Sequence, residues 1–173
     1  MSATFSSSRI LLPVRPWFIV LSLAAALVLN LLPPEGWLWM PDWIALVLVF
    51  WSIREPRFVG MGSAFVLGLA MDVADGSVLG QHALAYVVAS YLAAAISKRV
   101  LWFPMAKQAL HVVPILLLVQ VFQYAVRAMP GVILPGGLYF VGPLWGFLLW
   151  APLNFLLLLP QYQPVERDAN RPI

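Results

Sequence analysis

The sequence predicts an all-α polytopic membrane protein with six transmembrane helices, and three observations carry that reading. The first is composition: 62% of the 173 residues are hydrophobic and 10% are charged, with a mean hydropathy of +0.90, where soluble domains are about a quarter charged. The second is continuity. Apolar residues run unbroken over roughly 17–32, 43–53, 58–74, 83–97, 108–128 and 138–159, and continuous runs suit helices, whereas a membrane barrel needs alternating strands of about ten residues. The third is charge parity. Arg9 and Arg15 precede the first stretch, Arg54 and Arg57 lie between the second and third, Lys98, Arg99 and Lys107 between the fourth and fifth, and Arg167 and Arg171 after the sixth. The intervening gaps hold no Lys or Arg, and Arg127 alone lies near the other side. Basic flanks stay cytoplasmic, which predicts a multi-pass protein with both termini in the cytoplasm.

Six crossings of about 20 residues each consume nearly the whole chain. The expected organisation is a cytoplasmic segment over 1–16, one six-helix domain over 17–160 and a cytoplasmic tail over 161–173. The first stretch runs into Leu31-Leu32-Pro33-Pro34 without a small-x-small cleavage pattern, so it reads as an uncleaved anchor. The second is the shortest. Trp17, Trp51 and Trp102 mark one interface and Trp37, Trp39, Trp43 and Tyr139 the other, while Trp145 and Trp150 fall inside the sixth stretch and are expected to pack within the bundle.

The third stretch is the most informative. Gly60, Ala64, Gly68 and Asp72 recur every four residues, forming one helical stripe in which three small residues lead to a carboxylate. Small residues let helix backbones approach closely in lipid, so this stripe should face another helix. Asp72 requires a partner there, because a charge in the hydrocarbon is costly; it either caps the following turn or pairs across a contact. Asp75-Gly76 and Leu79-Gly80 carry turn chemistry, and His82 follows. In the fifth stretch Gln120, Gln123 and Arg127 fall within about 60° of one another at 100° per residue. Arg127 could pair with Asp72 or Asp75, or snorkel to headgroups. The sixth stretch holds Gly142 and Gly146 in a small-xxx-small pair, with Pro143 and Pro152 expected to kink or break the helix, as Pro114 does in the fifth.

The same residues argue against chemistry. His82 and His111 fall at opposite ends of the bundle, no Cys is present, and the carboxylates are dispersed, so no metal set and no acid–base dyad is expected. The net charge of +3 is accounted for by basic flanks of helices, without nucleic acid. The chain is expected to be no enzyme and to take no cofactor.

Over residues 10–160 the chain resembles the rod shape-determining protein MreD family. The resemblance rests on Pro41-Asp42-Trp43, Phe50-Trp51 with Pro56, Gly68-Leu-Ala-Met-Asp72, Gly76-Ser-Val-Leu79-Gly80-Gln81-His82-Ala83-Leu84, Tyr91, Phe103 and Gln108. The second half matches by hydropathy more than by motif, and a single Gln108 stands where relatives often show a Gln pair. The resemblance implies a fold similar to the substrate-binding S-components of energy-coupling-factor transporters. It also implies a non-enzymatic scaffold of the cell-elongation machinery that binds the bitopic protein MreC and helps link MreB filaments to RodA and a class B penicillin-binding protein. The alternative is a small-solute-binding transporter subunit. Under the scaffold reading, the outer ends of spans three and four, with Asp72, Gly76, Gly80 and His82, shape the region that positions MreC.

Overall fold

The computed structural model describes residues 14–32, 40–129 and 136–161. Arg9, Trp37, Trp39, Arg167 and Arg171, with most of the two terminal segments, lie outside the described residues. Six α-helices follow in order: α1 Pro16–Leu31, α2 Trp43–Arg54, α3 Met61–Ala74, α4 Gln81–Val100, α5 Met105–Ala128 and α6 Gly142–Leu158. Short 3-10 turns, Gly137–Val141 and Leu159–Gln161, flank α6. Among the described residues three segments are long and apolar enough to cross a membrane: α4, α5, and Tyr139–Gln161 around α6. The described residues thus form the all-helical body of a membrane protein.

The helix ends are set locally. Pro41-Asp42 starts α2, where the Asp42 carboxylate accepts the Ala45 N–H at 2.9 Å, an N-cap that satisfies an otherwise orphaned donor. At the start of α3 the Ser63 hydroxyl accepts the Gly60 N–H at 3.1 Å. Gly76 and Gly80, with φ of 59° and 97°, turn the chain between α3 and α4 in the left-handed region that glycine tolerates best. Pro104 precedes α5. Both α5 and α6 stay continuous through Pro114 and Pro152, so neither proline breaks its helix.

The shortness of α2 has a structural reason. At 1.5 Å per residue its 12 residues extend about 18 Å, well below a hydrocarbon core of about 30 Å. All ten residues from Ile44 to Ile53 are buried, because α1, α4 and α5 pack around this helix. A helix sheathed by protein need not match the lipid thickness. Its side chains form the centre of the core with Tyr86, Ala89 and Ala93 of α4 and Trp150 of α6, and the Phe50 and Trp150 rings meet edge-on at 5.9 Å.

Helix α4 crosses between α2, α3 and α5, and glycine makes its closest approach possible. A Cβ on Gly68 would lie 2.3 Å from the Ala83 Cα and 2.5 Å from its N. Those are backbone atoms that cannot step aside. Ala64 and Asp72 of the same stripe are buried, whereas Gly60 is half-buried and a Cβ added there would meet only the Pro56 carbonyl, at 3.9 Å. Gly142 and Gly146 lie against α5, where added methyl groups would meet the Gln120 amide and the Leu116 side chain. Six of the seven described Lys and Arg residues flank helix ends on one side of the bundle, and Arg127 lies at the other.

Gly68→Ala is expected to destabilise the protein by about 1–3 kcal/mol through overpacking. Gly62→Ala, where nothing lies within 4 Å, should be neutral or stabilising by up to about 1 kcal/mol. Thermal unfolding in detergent, followed by tryptophan fluorescence, separates the two; similar melting shifts would refute the close-approach account.

Candidate functional site

At the bundle end opposite the basic flanks, two carboxylates organise a polar belt. Asp72, on the last turn of α3, is 1% exposed. Its Oδ2 accepts the Gly80 N–H at 2.8 Å and, more weakly, the Ala83 N–H at 3.4 Å. Its Oδ1 accepts the His82 N–H at 2.7 Å and the Ser77 hydroxyl at 3.2 Å, while the His82 ring meets it through Nδ1 at 2.9 Å. The carboxylate therefore caps the first turn of α4, where free amides and the positive end of the helix dipole favour an anion. An ionised carboxylate only accepts, which places a proton on His82 Nδ1. On the other side of the ring, Nε2 lies 3.7 Å from Asp75 Oδ2. Asp75 keeps 39% of its side chain exposed; partial desolvation raises its carboxyl above the ordinary value, with His82 pulling the other way.

The second carboxylate, Asp42, ties together more of the fold. Besides capping α2, it accepts hydrogen bonds from Asn30 Nδ2 of α1 at 3.0 Å, from the Tyr86 hydroxyl of α4 at 2.8 Å and from Gln123 Nε2 of α5 at 3.3 Å. Asn30 Oδ1 in turn accepts the Trp43 N–H at 2.8 Å. Tyr139, in the turn before α6, donates to Gln123 Oε1 at 2.6 Å. The two centres meet where the His82 and Tyr86 rings pack edge-on at 5.8 Å. The belt thus draws on five helices and on the turn that leads into the sixth.

This geometry changes one pairing. Asp72 pairs with His82 and does not pair with Arg127, because the amides of α4 reach the carboxylate first. Arg127 stands half-buried, close enough to act electrostatically on Asp75 and Tyr139. Gln123 serves Asp42 and not Asp72. Of the sequence-predicted residues, Gly68, Asp72, Gly76, Gly80 and His82 come together at the α3–α4 corner; Ala64 lies two turns down the same face and Gly60 lies at the opposite end of α3. Gly142 and Gly146 belong to the α5–α6 contact. Sequence reasoning missed Asp42, Asn30, Tyr86 and Tyr139 as a cluster. The available signal was Asp42 directly before an apolar run, a helix-start pattern, and Asn30 as a costly amide at the end of an apolar stretch.

Ser77, His82 and Asp72 form no catalytic relay. A nucleophile–base–carboxylate chain needs the serine and the carboxylate on opposite ring nitrogens, whereas here the Ser77 hydroxyl, at 3.4 Å, and Asp72 both face Nδ1. Among the described residues no group of three or more His, Asp or Glu side chains could hold a metal ion. What the belt can do is hold helices in register.

A family model described as rod shape-determining protein MreD matches residues 10–163. The chain belongs to the MreD family. It is 35% identical over 121 residues to the rod shape-determining protein MreD of Haemophilus influenzae, covering 66% of this chain and 75% of that protein. No solved structure matches the chain. Family membership ties the protein to the bacterial rod-shape system, and both polar centres lie on segments that carry the MreD resemblance: Asp42 in Pro41-Asp42-Trp43, Asp72 and His82 in the third span and its exit.

A double-mutant cycle tests the pairing. Asp72→Asn is expected to cost about 1.5–3 kcal/mol, as for hydrogen bonds to a charged group, and to couple to His82→Ala by about 1 kcal/mol or more. Its coupling to Arg127→Gln should stay below about 0.5 kcal/mol. Unfolding equilibria in detergent that gave equal couplings would overturn the assignment.

Proposed function

We propose that this MreD family member is a non-enzymatic scaffold subunit of the cell-elongation complex. It crosses the inner membrane six times, with both termini in the cytoplasm, in a fold like that of the S-component transporter subunits. In this reading it binds an MreC-like bitopic protein and helps link MreB filaments to peptidoglycan synthesis by RodA and a class B penicillin-binding protein. One observation carries the reading: Asp72 is satisfied from within by the α4 amides and His82, and apart from the part-exposed Asp75 the side chains that rim this corner are apolar. Val73, Val78, Leu79 and Leu84 surround the buried Asp72–His82 corner with exposures of 73, 40, 71 and 53%. A rigid corner with an apolar rim suits packing against another helix, where affinity comes from close van der Waals contact. The rim is therefore the proposed seat of the MreC membrane helix or its neighbours, with Asp72, Gly76, Gly80 and His82 shaping it from within.

Affinity purification from gentle detergent, read by mass spectrometry, tests this. The wild type should recover an MreC-like protein, and a Val73→Trp/Leu79→Trp variant that inserts and melts normally should recover much less. Undiminished recovery would move the contact elsewhere, and recovery of an ATPase–transmembrane module from the wild type would replace the scaffold reading with transport.

A further inference from the structure

A second surface lies between α1 and α6. Helices α1 and α6 stand apart across α2 and leave an open groove of about 450 Å³, within the size range of small-molecule sites. Its floor includes Ala26 and Val47, 1% and 5% exposed, and its rims are Leu21, Leu29, Leu156 and Leu159, 43 to 60% exposed. A low floor between bulky rims makes a slot. The wall is almost wholly apolar: its hydroxyl, Ser22, donates to the Ile19 carbonyl at 2.8 Å and accepts the Trp51 indole N–H at 2.8 Å, and Trp43 adds an aromatic ring toward the other end of α1. Whatever fills the slot is hydrocarbon.

One mouth of the slot is charged. Phe18, Ser22, Ala25 and Leu29 line the groove at three- or four-residue spacing along α1, and Arg15, the N-cap residue, adjoins them where its carbonyl accepts the Phe18 N–H at 2.9 Å. Arg15 is exposed, and the neighbouring Trp17 is 59% exposed, an aromatic placed as interfacial anchors are. Helix α1 begins there with a proline in its first turn and no side-chain cap, so its positive end adds to the arginine charge. The turn that ends α6, with Leu159 and Pro160, closes the other side of the same mouth.

We propose that the α1–α6 groove is a binding site for one acidic phospholipid, with an acyl chain lying in the slot and its phosphate held at Arg15. Charge complementarity and the apolar wall fit a lipid better than a polypeptide. A docked helix would need small residues along its whole length, whereas Ala25 and Ala26 are flanked above and below by Phe18, Leu29, Leu153 and Trp43. The site is independent of the scaffold role.

The test uses the full chain in nanodiscs of phosphatidylethanolamine with a fixed fraction of phosphatidylglycerol, read by native mass spectrometry after release. The wild type should retain phosphatidylglycerol over phosphatidylethanolamine by roughly fivefold, the preference one basic residue confers near an anionic membrane surface. Arg15→Gln should lose the preference yet keep a lipid, and Ala25→Phe, which fills open space, should lose the lipid. A wild type without headgroup preference, or an Ala25→Phe variant that retains the lipid, overturns the proposal. As a check independent of that variant's folding, a photoreactive residue at Leu156 should form adducts with phospholipid in native membranes. An adduct with a polypeptide instead would assign the groove to a protein helix and also overturn it.

Discussion

The fold depends on how a carboxylate is kept in a medium that cannot solvate it. Lipid provides neither water nor counter-ions, so Asp72 must take its donors from the protein, and it takes them from the one place where amides are necessarily free: the first turn of α4. Its side-chain partner, His82, comes from the same turn. That single capping contact fixes the angle and depth at which α4 returns along α3. The backbone contact at Gly68 follows, since α4 held at that corner runs against the glycine of the stripe nearest to it, where no side chain intervenes.

Asp42 applies the same solution across a wider span. Its donors come from α1, α2, α4 and α5, so one half-buried carboxylate sets the relative positions of four helices at one end of the bundle. At the other end, α2 is held by Arg54, whose guanidinium donates to Asn154 of α6 at 2.9 Å and lies over the Phe50 ring. Polar contacts at its two ends and an apolar middle explain how a helix of about 18 Å can serve as the axis of a membrane protein. Its neighbours, not the bilayer, are its solvent. Ser52 and Ser90 add a buried hydroxyl pair between α2 and α4, and the Ser97 hydroxyl donates to the Ile53 carbonyl.

For an MreD family protein this arrangement separates two tasks. Interior polarity specifies the register of the helices, since a slipped register would leave a carboxylate without donors at high cost. The exterior stays apolar and can be used for recognition within the membrane plane. Substitutions in the belt would therefore act on every external surface at once, whereas substitutions on a rim or in a groove would act on one.

Composition and charge parity by themselves determined a helical membrane protein with the helices close to where they occur, because continuous apolarity and basic flanks are properties of local sequence. The stripe ending at Asp72, the glycine turns and the N-cap at Asp42 were also local, set by residue spacing and backbone conformation. Partner choice was not. Helical spacing put Gln123 and Arg127 on one face and left Asp72 or Asp75 as candidates, but only the packing of α3 on α4 brought the α4 amides to Asp72 ahead of Arg127. Likewise Asn30, Tyr86 and Tyr139 join Asp42 across separations of 12, 44 and 97 residues, the last through Gln123. Sequence pattern says that a buried charge must be satisfied; which donor arrives first is a matter of distance, and distance between remote residues exists only in the tertiary structure.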